Sequence, residues 1–391
     1  METTSLAASV LVAEDQPEVQ HALQLLLKMA GHRVELASSP DEAMAAVHRE
    51  VFDLLLVDLN YHRDTTSGDE GLKLLEDLRT LRYESPVVAM TAWGSIDLAV
   101  EAMHRGACDF VQKPWDNDHL LRIVNKHVES GRTQRRNRRR QQLEMQDAVA
   151  VQRRLLPRDL PSFPGLSIAG ECRPAGDMGG DYFDVFSMGK KLGICIADVI
   201  GHGLPAALMM ANLQAAVKVT AAEWLSPSDL CSRVNELVCK NGADDKFISF
   251  FYAVLDPQTR KLNYSNCGHN APILCHNDGS IERLAQGGTL LGLRSDERFH
   301  EGSLNLVALD RLVLFTDGIP EAGTSNENEY GELRIIELMK TRGASDHARE
   351  LLDALLHDVS THCNQQFDDD ITCVVIAAGE FVAETLQAVN S

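Results

Sequence analysis

The sequence lacks the features that would place a chain in or across a membrane. It contains no run of about 18 apolar residues, the length that a membrane-spanning helix needs. Its most apolar stretch, from Leu192 to Val217, is interrupted by Asp198 and His202. The first residues, Met-Glu-Thr-Thr, lack the basic region of a secretory signal. The nine cysteines include no Cys-x-x-Cys pair, and an odd number argues against a disulfide framework. We therefore expect a cytoplasmic protein with no membrane partner.

Positive charge is also scarce. Lys and Arg number 37 against 57 Asp and Glu, and the net charge of −20 disfavours nucleic acid as a partner. The exception is the segment 131–158, which carries nine arginines against two acidic residues. We interpret it first as a solvated linker helix and second as a binding patch. A DNA-binding function is disfavoured because no helix-turn-helix pattern follows the arginines.

The length of 391 residues predicts two or three domains, at about 150 residues each. In the first part, short apolar runs alternate with stretches of helical spacing. This alternation is typical of an α/β, doubly wound fold with a five-stranded parallel sheet covered by helices on both faces. The five predicted strands are Val10–Ala13, Arg33–Leu36, Leu54–Val57, Val87–Met90 and Asp109–Val111.

The middle of the chain, residues 130–157, is polar and predicts a helix. A stripe of apolar side chains follows helical spacing there, and it makes a dimeric coiled coil an additional hypothesis. Prolines then end the helix. The stripe consists of Met145, Ala148, Val151 or Gln152, and Leu155, and the prolines are Pro157, Pro161 and Pro164.

The pattern after Pro164 is different in kind. Several predicted strands are joined by hairpin-type turns, and helical spacing is confined to about 204–222, 228–240 and 346–360. We expect an α+β domain, with antiparallel sheets and flanking helices. The predicted strands are Ser167–Glu171, Tyr182–Phe186, Leu192–Ala197, Ile248–Leu255, Lys261–Asn266, Arg311–Phe315 and Ile371–Ile376.

Five polar residues lie at the ends of strands in the first part: Glu14, Asp15, Asp58, Thr91 and Lys113. The carboxyl ends of parallel strands meet at one edge of a sheet, so these side chains can converge. Two acids would hold Mg²⁺ through carboxylate oxygens, and Asp58 would be the nucleophile in a phosphoryl transfer. The Thr91 hydroxyl and Lys113 ammonium would bind the transferred phosphoryl group. A single acidic residue at the end of a strand is more often a solvated loop residue than part of a site.

Because these five residue types follow one another in this order along the chain, residues 8–128 resemble a response-regulator receiver domain. Phe110 occupies the position of that family's switch aromatic. The resemblance implies a sensor histidine kinase as partner, phosphorylation of Asp58, and Mg²⁺ bound by the acidic residues together with Asn60. The segment Asn60–Glu70 is longer than the usual loop, which could alter access to Asp58 or the lifetime of its phosphate.

The second part carries a separate set of acids, each beside a predicted strand. An aspartate next to glycine is by itself more often a turn residue than a ligand. Four such acidic loops together favour hard divalent metals, because repulsion makes the cluster costly without them. The loops are Gly179–Asp184, Ala197–Gly203, Phe315–Gly318 and Asp368–Thr372.

Residues 150–378 resemble the metal-dependent protein phosphatases of the 2C type, in the bacterial SpoIIE-like branch. The resemblance implies two packed antiparallel sheets with a binuclear Mn²⁺ or Mg²⁺ site between them. The implied ligands are Asp181, Asp198, the Val199 carbonyl, Asp317 and Asp369. Besides the acidic loops, the motifs that carry the resemblance are Gln152–Pro157, Gly201–Ala207, Cys267–Asn270 and Leu291–Leu293.

The roles of four further residues stay open in the sequence. Asp184 and Asp370 are acidic neighbours of implied ligands. His202 and His269 are candidate general acids, although their neighbouring glycines favour structural roles instead.

The predicted organisation is a receiver domain at 8–128, a basic helical linker at 129–160, a phosphatase domain at 161–380 and a tail at 381–391. The predicted function is a response regulator whose output is a Ser/Thr protein phosphatase controlled through Asp58. The implied substrate is a phosphorylated regulatory protein such as an anti-sigma-factor antagonist, and a homodimer is expected. The alternative is an adaptor whose phosphatase fold binds a partner without catalysis. Retention of all four aspartate ligands disfavours it.

Overall fold

The computed structural model describes residues 7–61, 68–91, 96–241, 246–323, 328–342 and 347–379. The tail predicted at 381–391 and residues 62–67 of the long loop lie outside these ranges. The chain divides into two compact units between Met145 and Gln146. Among the described helices, none has the length and apolar character to cross a bilayer.

The first unit is built on a parallel sheet with strand order β2-β1-β3-β4-β5. Alternate residues of the central strands face opposite sides. Helices α1 and α5 pack on one face, and α2, α3 and α4 pack on the other. The predicted doubly wound fold is confirmed. The strands are β1 (Ser9–Ala13), β2 (Arg33–Ala37), β3 (Leu54–Asp58), β4 (Val87–Thr91) and β5 (Asp109–Gln112). The helices are α1 (Pro17–Met29), α2 (Pro40–Arg49), α3 (Asp69–Thr80), α4 (Ile96–His104) and α5 (Asn117–Arg153).

Helix α5 is a single helix of 37 residues that contains most of the predicted linker. Its apolar side chains up to Val128 pack on the parallel sheet. Between Val128 and Gln146 the helix is mostly polar, as predicted from the sequence. The helix predicted for 130–157 is thus a continuation of the last helix of the first unit.

Two arginines of α5 are fixed at the amino-terminal edge of the parallel sheet. Arg132 Nη2 lies 2.7 Å from Asp53 Oδ2, and Arg135 also donates to the Asp53 carboxylate. The backbone amide of Ser9 donates to the same carboxylate at 3.0 Å. Although partial burial alone would raise it, the pKa of Asp53 is lowered by these hydrogen bonds, with Arg132 the largest contributor. At least these two arginines therefore have a structural role.

The second unit contains two mainly antiparallel sheets. One has the order β13-β10-β9-β8-β7, with β14 paired to β10, and the other has the order β12-β11-β15-β16-β6. The strands are β6 (Leu166–Arg173), β7 (Tyr182–Met188), β8 (Lys191–Val199), β9 (Ile248–Leu255), β10 (Lys261–Cys267), β11 (Ile273–Cys275), β12 (Ile281–Arg283), β13 (Gly287–Gly288), β14 (Gly302–Asn305), β15 (Arg311–Phe315) and β16 (Ile371–Ala378). The helices are α6 (Gly203–Ala221), α7 (Pro227–Asn241), α8 (Glu332–Thr341) and α9 (Ala348–His362).

The two sheets pack face to face, and helices cover their outer faces. Side chains such as Phe183, Phe251 and Leu314 form the core between the sheets. Helices α6 and α7 cover the β7–β10 side, and α8 and α9 cover the β15–β16 side. The predicted sandwich with flanking helices is confirmed. Helix α8 and the short strands β11–β14 were not predicted. Strands of two to four residues give too little periodicity to read.

We expect Asp53→Asn to lower the free energy of unfolding of the first unit by about 1–2 kcal/mol, since it weakens the acceptor for two partly buried guanidinium groups. Urea denaturation followed by circular dichroism measures this change. The matched control is Asp77→Asn on the exposed face of α3. Equal stability of both variants would contradict a structural role for Asp53.

Candidate phosphoryl-transfer and metal sites

The carboxyl edge of the parallel sheet brings the predicted residues of the first unit together. Lys113 Nζ lies 2.6 Å from Glu14 Oε2 and 2.9 Å from Asp58 Oδ2. Thr91 follows Met90, the neighbour of Asp58 in the sheet, and it is buried. All five side chains predicted from the strand ends therefore belong to this edge.

The donor atoms at this edge fit a hard cation such as Mg²⁺. Carboxylate oxygens of Glu14, Asp15 and Asp58 lie within 4.8 Å of one another. Within the described residues, Asp58 Oδ1 and Asn60 Oδ1 are buried and have no hydrogen-bond partner. Oxygen atoms that are close together and lack donors are the usual ligands of magnesium.

Burial also disfavours the ionised forms of the acids at this edge. It raises the pKa of Glu14 to about 7, with the Asp58 carboxylate as the next cause. The pKa of Asp58 is likewise raised by burial, although Lys113 opposes the shift. Lys113 supplies one positive charge against three carboxyl groups, so a divalent cation would stabilise the ionised acids at this edge. Phe110, the candidate switch aromatic, lies on β5 with its side chain 43% exposed.

In the second unit, each sheet contributes a pair of the predicted aspartates at one end. Asp181 precedes β7 and Asp198 lies near the end of β8, and these strands are neighbours. Asp317 follows β15 and Asp369 precedes β16, which are neighbours in the other sheet. The Thr316 hydroxyl donates to Asp181 Oδ2 at 2.8 Å, which joins the two pairs.

Burial, followed by mutual repulsion, raises the pKa values of Asp181, Asp198 and Asp317. Burial and then the Asp198 charge raise the pKa of Asp181 well above its ordinary value. Burial, followed by Asp317 and Asp369, raises the pKa of Asp198 to about 7. The pKa of Asp317 is raised by burial and then by Asp369.

The donor set of the second unit also fits divalent metals. Within the described ranges, none of the four carboxylates forms an ion pair with a lysine or arginine. No three acids of the second unit lie within 4.8 Å of one another among these residues, unlike the triplet Glu14, Asp15 and Asp58. The Val199 carbonyl faces Gly180 beside this cluster.

Asp370 has a structural role that the sequence left open. Its carboxylate accepts from the amides of Ala175 at 2.8 Å and Gly180 at 2.7 Å, and more weakly from Asp181 at 3.4 Å. A Cβ atom at Gly179 would collide with this carboxylate, and one at Gly318 would collide with the Asp370 carbonyl. These glycines therefore let the loops that carry Asp181 and Asp317 each approach the loop of Asp370.

Asp184 lies apart from the other acids. Along β7, Asp181 and Phe183 face the other sheet, whereas Asp184 faces the helices because side chains alternate in a strand. It accepts from the Tyr182 hydroxyl at 3.0 Å and pairs with Lys218 Nζ at 2.6 Å. This ion pair, in which Asp184 is buried and Lys218 is exposed, connects α6 to the sheet.

The two candidate general acids, His202 and His269, lie in different environments. His269 is buried with Nδ1 2.8 Å from Ser249 Oγ, and burial lowers its pKa to about 4. It is therefore neutral at pH 7, which favours the structural interpretation over a general acid. His202 is exposed at the start of α6, and its side chain makes no capping hydrogen bond.

Comparisons with known proteins agree with both halves of this description. A model of the response regulator receiver domain matches residues 10–125, and a model of Stage II sporulation protein E (SpoIIE) matches residues 188–378. Phosphoserine phosphatase RsbU of Bacillus subtilis is 30% identical over 238 residues, which cover 60% of this chain and 69% of RsbU. This chain belongs to the SpoIIE-type phosphatase family. Its first unit is a receiver domain, and its second is a PP2C-type phosphatase domain.

Each of the other relatives described here matches part of this SpoIIE-type phosphatase. Response regulator FleR of Pseudomonas aeruginosa is 37% identical over 123 residues, 32% of this chain and 25% of FleR. Protein IcfG of Synechocystis is 27% identical over 265 residues, 60% of this chain and 41% of IcfG. The SiaA-PP2C domain of Pseudomonas aeruginosa shares the fold, with a TM-score of 0.54 and 19% identity over 62% of this chain and 98% of that domain.

We expect Asp198→Asn to raise the melting temperature of the phosphatase domain in EDTA by about 2–4 °C, because it relieves repulsion among the four clustered carboxylates. The same variant loses the stabilisation by Mn²⁺, which for the wild type is about 2.7 kcal/mol at 100 times the dissociation constant. Differential scanning calorimetry measures both effects. Asp368→Asn, at an exposed neighbouring position, is the matched control. A lower melting temperature in EDTA, with the Mn²⁺ response intact, would show that Asp198 is not part of a metal site.

Proposed function

We propose that this chain is a two-component response regulator whose output is a metal-dependent phosphatase acting on phosphoserine or phosphothreonine. The proposed substrate is a small regulatory protein of the anti-sigma-factor antagonist class. The proposed organisation is the receiver at 8–128, the linker at 129–160 and the phosphatase at 161–380, in a cytoplasmic protein. The proposal is supported chiefly by the four repelling aspartates that two sheets bring to one end of the sandwich.

In the phosphatase domain, Asp181, Asp198, Asp317, Asp369 and the Val199 carbonyl would hold two Mn²⁺ or Mg²⁺ ions. Such ions lower the pKa of a water molecule and orient it for in-line attack on a phosphoester. Two other side chains, those of Thr316 and Asp370, position the ligand Asp181. Thr316 fixes one oxygen of Asp181 by its hydrogen bond, and Asp370 fixes the backbone that carries Asp181.

In the receiver domain, Asp58 would accept a phosphoryl group from a phosphohistidine of a sensor kinase. A carboxylate oxygen of Asp58 forms the new bond to phosphorus as the phosphorus–nitrogen bond breaks, and the histidine nitrogen keeps the electron pair. Lys113, already 2.9 Å from Asp58, and the buried Thr91 would bind the phosphoryl oxygens. Mg²⁺ held by Glu14, Asp15, Asp58 and Asn60 would offset the added charge.

Helix α5 supports the proposal that Asp58 controls the phosphatase, since it contributes residues to both units. A homodimer through its apolar stripe belongs to the same proposal, and the exposed Met145 and Val151 on this helix support it. Sedimentation of the full chain tests the dimer, and a monomer at micromolar concentration would contradict it.

The experiment that tests the function is hydrolysis of p-nitrophenyl phosphate and of a phosphoserine peptide by the full chain. It is run with Mn²⁺, Mg²⁺ or EDTA, with and without beryllium trifluoride as a mimic of the Asp58 phosphate. We expect turnover that needs a metal and that the mimic changes. Metal binding without turnover under any of these conditions would favour the adaptor instead.

Two variants separate the halves of the proposal. Asp58→Asn should keep basal turnover and lose the response to beryllium trifluoride, because the acceptor oxygen is gone. Asp198→Asn should lower turnover about 100-fold or more and still allow Asp58 to be phosphorylated. Phosphorylation is measured by intact-protein mass spectrometry with acetyl phosphate, and Asp77→Asn serves as the control. Full turnover in Asp198→Asn would refute the metal assignment, and a retained response in Asp58→Asn would refute the control by phosphorylation.

A further inference from the structure

The hydroxyl group of Ser249 lies beside the acids of the phosphatase domain, on the strand next to the one that carries Asp198. In the pairing of β8 with β9, Ser249 is directly opposite Asp198. Side chains of directly opposite residues point to the same face of a sheet, with Cβ atoms about 4.5–5.5 Å apart. That face packs on the other sheet, because Phe251, two residues further along β9, belongs to the core between the sheets. Ser249 therefore places a neutral oxygen next to the four aspartates.

A buried histidine fixes this hydroxyl group. His269 Nδ1 lies 2.8 Å from Ser249 Oγ, and within the ranges that the structure describes this is the one hydrogen bond of the hydroxyl. His269 is only 6% exposed. Its backbone is held as well, because the Asn266 side chain accepts from the His269 amide at 2.7 Å and donates to the His269 carbonyl at 3.0 Å. The ring is thus fixed against Ser249.

The direction of the hydrogen bond follows from the protonation of the ring. Burial lowers the pKa of His269 to about 4, so the imidazole is neutral at pH 7 and carries one proton. The carbonyl of Phe315 is the backbone group that opposes this shift, although Nε2 is buried and has no partner in hydrogen-bond geometry among the described residues. A carbonyl can only accept, which places the proton on Nε2. Nδ1 then accepts from the Ser249 hydroxyl.

This direction decides what Ser249 presents to the acids. A hydroxyl group has one proton and two lone pairs, and the proton is taken up by His269. Towards the aspartates, the serine oxygen is then purely an acceptor. Hard cations and the water that they bring are favourable neighbours of such an oxygen. Unlike a fifth carboxylate, it adds no charge to acids whose pKa values their neighbours already raise.

We propose that Ser249 is a positioning residue of the metal site, and that His269 acts through it by holding the hydroxyl so that its oxygen faces the aspartates as an acceptor. The inference rests on the proposed metal-dependent phosphatase, and it adds two residues outside the ligand set. Groups that support a metal site from outside the ligand set commonly change metal affinity by about 10- to 100-fold. His269 then contributes to the site without transferring a proton to the substrate.

The test is a titration of the full chain with Mn²⁺, in which the electron paramagnetic resonance of the free ion is recorded. The part of the binding that Asp198→Asn removes defines the phosphatase site, apart from any ion in the receiver. Ser249→Ala removes the hydroxyl, and Ser249→Thr keeps it. His269→Phe keeps a ring of similar size and removes both nitrogens, and it is also combined with Ser249→Ala. The matched control is Ser187→Ala, at an exposed position of β7.

We expect Ser249→Ala and His269→Phe each to bind Mn²⁺ about 10- to 100-fold more weakly at the phosphatase site. The double variant should bind no more weakly than the weaker single variant, because two residues that act through one contact are not additive. Ser249→Thr and Ser187→Ala should bind as the wild type does. His269→Asn, which is too short to reach Ser249, takes the place of His269→Phe if that variant does not fold.

Three results would overturn the inference. The first is unchanged Mn²⁺ affinity in Ser249→Ala with a lower melting temperature in EDTA, which is what a purely structural hydroxyl predicts. The second is a loss of affinity in Ser249→Thr as large as in Ser249→Ala, since the hydroxyl would then not matter. The third is additive losses in the double variant, which would show that His269 acts independently of Ser249.

Failure of the proposed function gives a different result. A wild type without any Mn²⁺ binding that depends on Asp198 would refute the metal-dependent phosphatase itself. If the wild type binds Mn²⁺ there and hydrolyses no phosphoester, the function is wrong, and the difference in affinity between Ser249→Ala and Ser249→Thr still decides the role of Ser249.

Discussion

Repulsion between clustered carboxylates is the constraint on which both units of this protein depend. Each fold gathers acids at the end of a sheet, where burial raises their pKa values and neighbouring charges raise them further. Such a cluster destabilises the folded state unless cations or protons neutralise it. The surrounding structure must hold the acids in place against this repulsion. Lys113 does so in the receiver, and backbone hydrogen bonds to Asp370 do so in the phosphatase.

The two folds meet this constraint by different routes. In the parallel sheet, all carboxyl ends lie at one edge, so the acids converge without special loops. In the sandwich, acids from two sheets have to meet, and this requires the loops around Gly179 and Gly318 each to approach Asp370 closely. A side chain outside the ligand set, Gln152, also holds this backbone by its hydrogen bond to the Gly179 carbonyl.

Helix α5 has fixed side chains near two points and exposed ones between them. Arg132 and Arg135 are bound to Asp53, and Gln152 is bound to Gly179. Residues 136–147 between these points are exposed. Of the arginines that first suggested a binding patch, Arg132 and Arg135 anchor the helix to Asp53, and Arg138 and Arg140 form exposed ion pairs with Glu84 and Glu144.

The sequence predicted the parts of this account that depend on local pattern. The order of Asp58, Thr91 and Lys113 at strand ends was sufficient to place them on one edge of the parallel sheet, because such a sheet leaves little freedom. Alternation along β7 could also have placed Asp184 on the helix side, away from Asp181, but that signal was not used.

The contacts of Asp53, Gln152 and Asp370 could not be predicted. Each joins residues between 27 and 195 positions apart, and no local pattern specifies such pairs. Asp370 shows the difficulty most clearly. In the sequence it is one of three consecutive aspartates, and only the packing of two loops makes it an acceptor for backbone amides.

The central claim is that Asp181, Asp198, Asp317 and Asp369 form a binuclear metal site. Crystals of the full chain grown with Mn²⁺ and measured at the manganese absorption edge test it most directly. The account predicts two anomalous peaks in the phosphatase domain, each within bonding distance of at least one of these aspartates. Crystals of catalytically active protein that show no peak among the four aspartates, or peaks only at other residues of this domain, would contradict the claim.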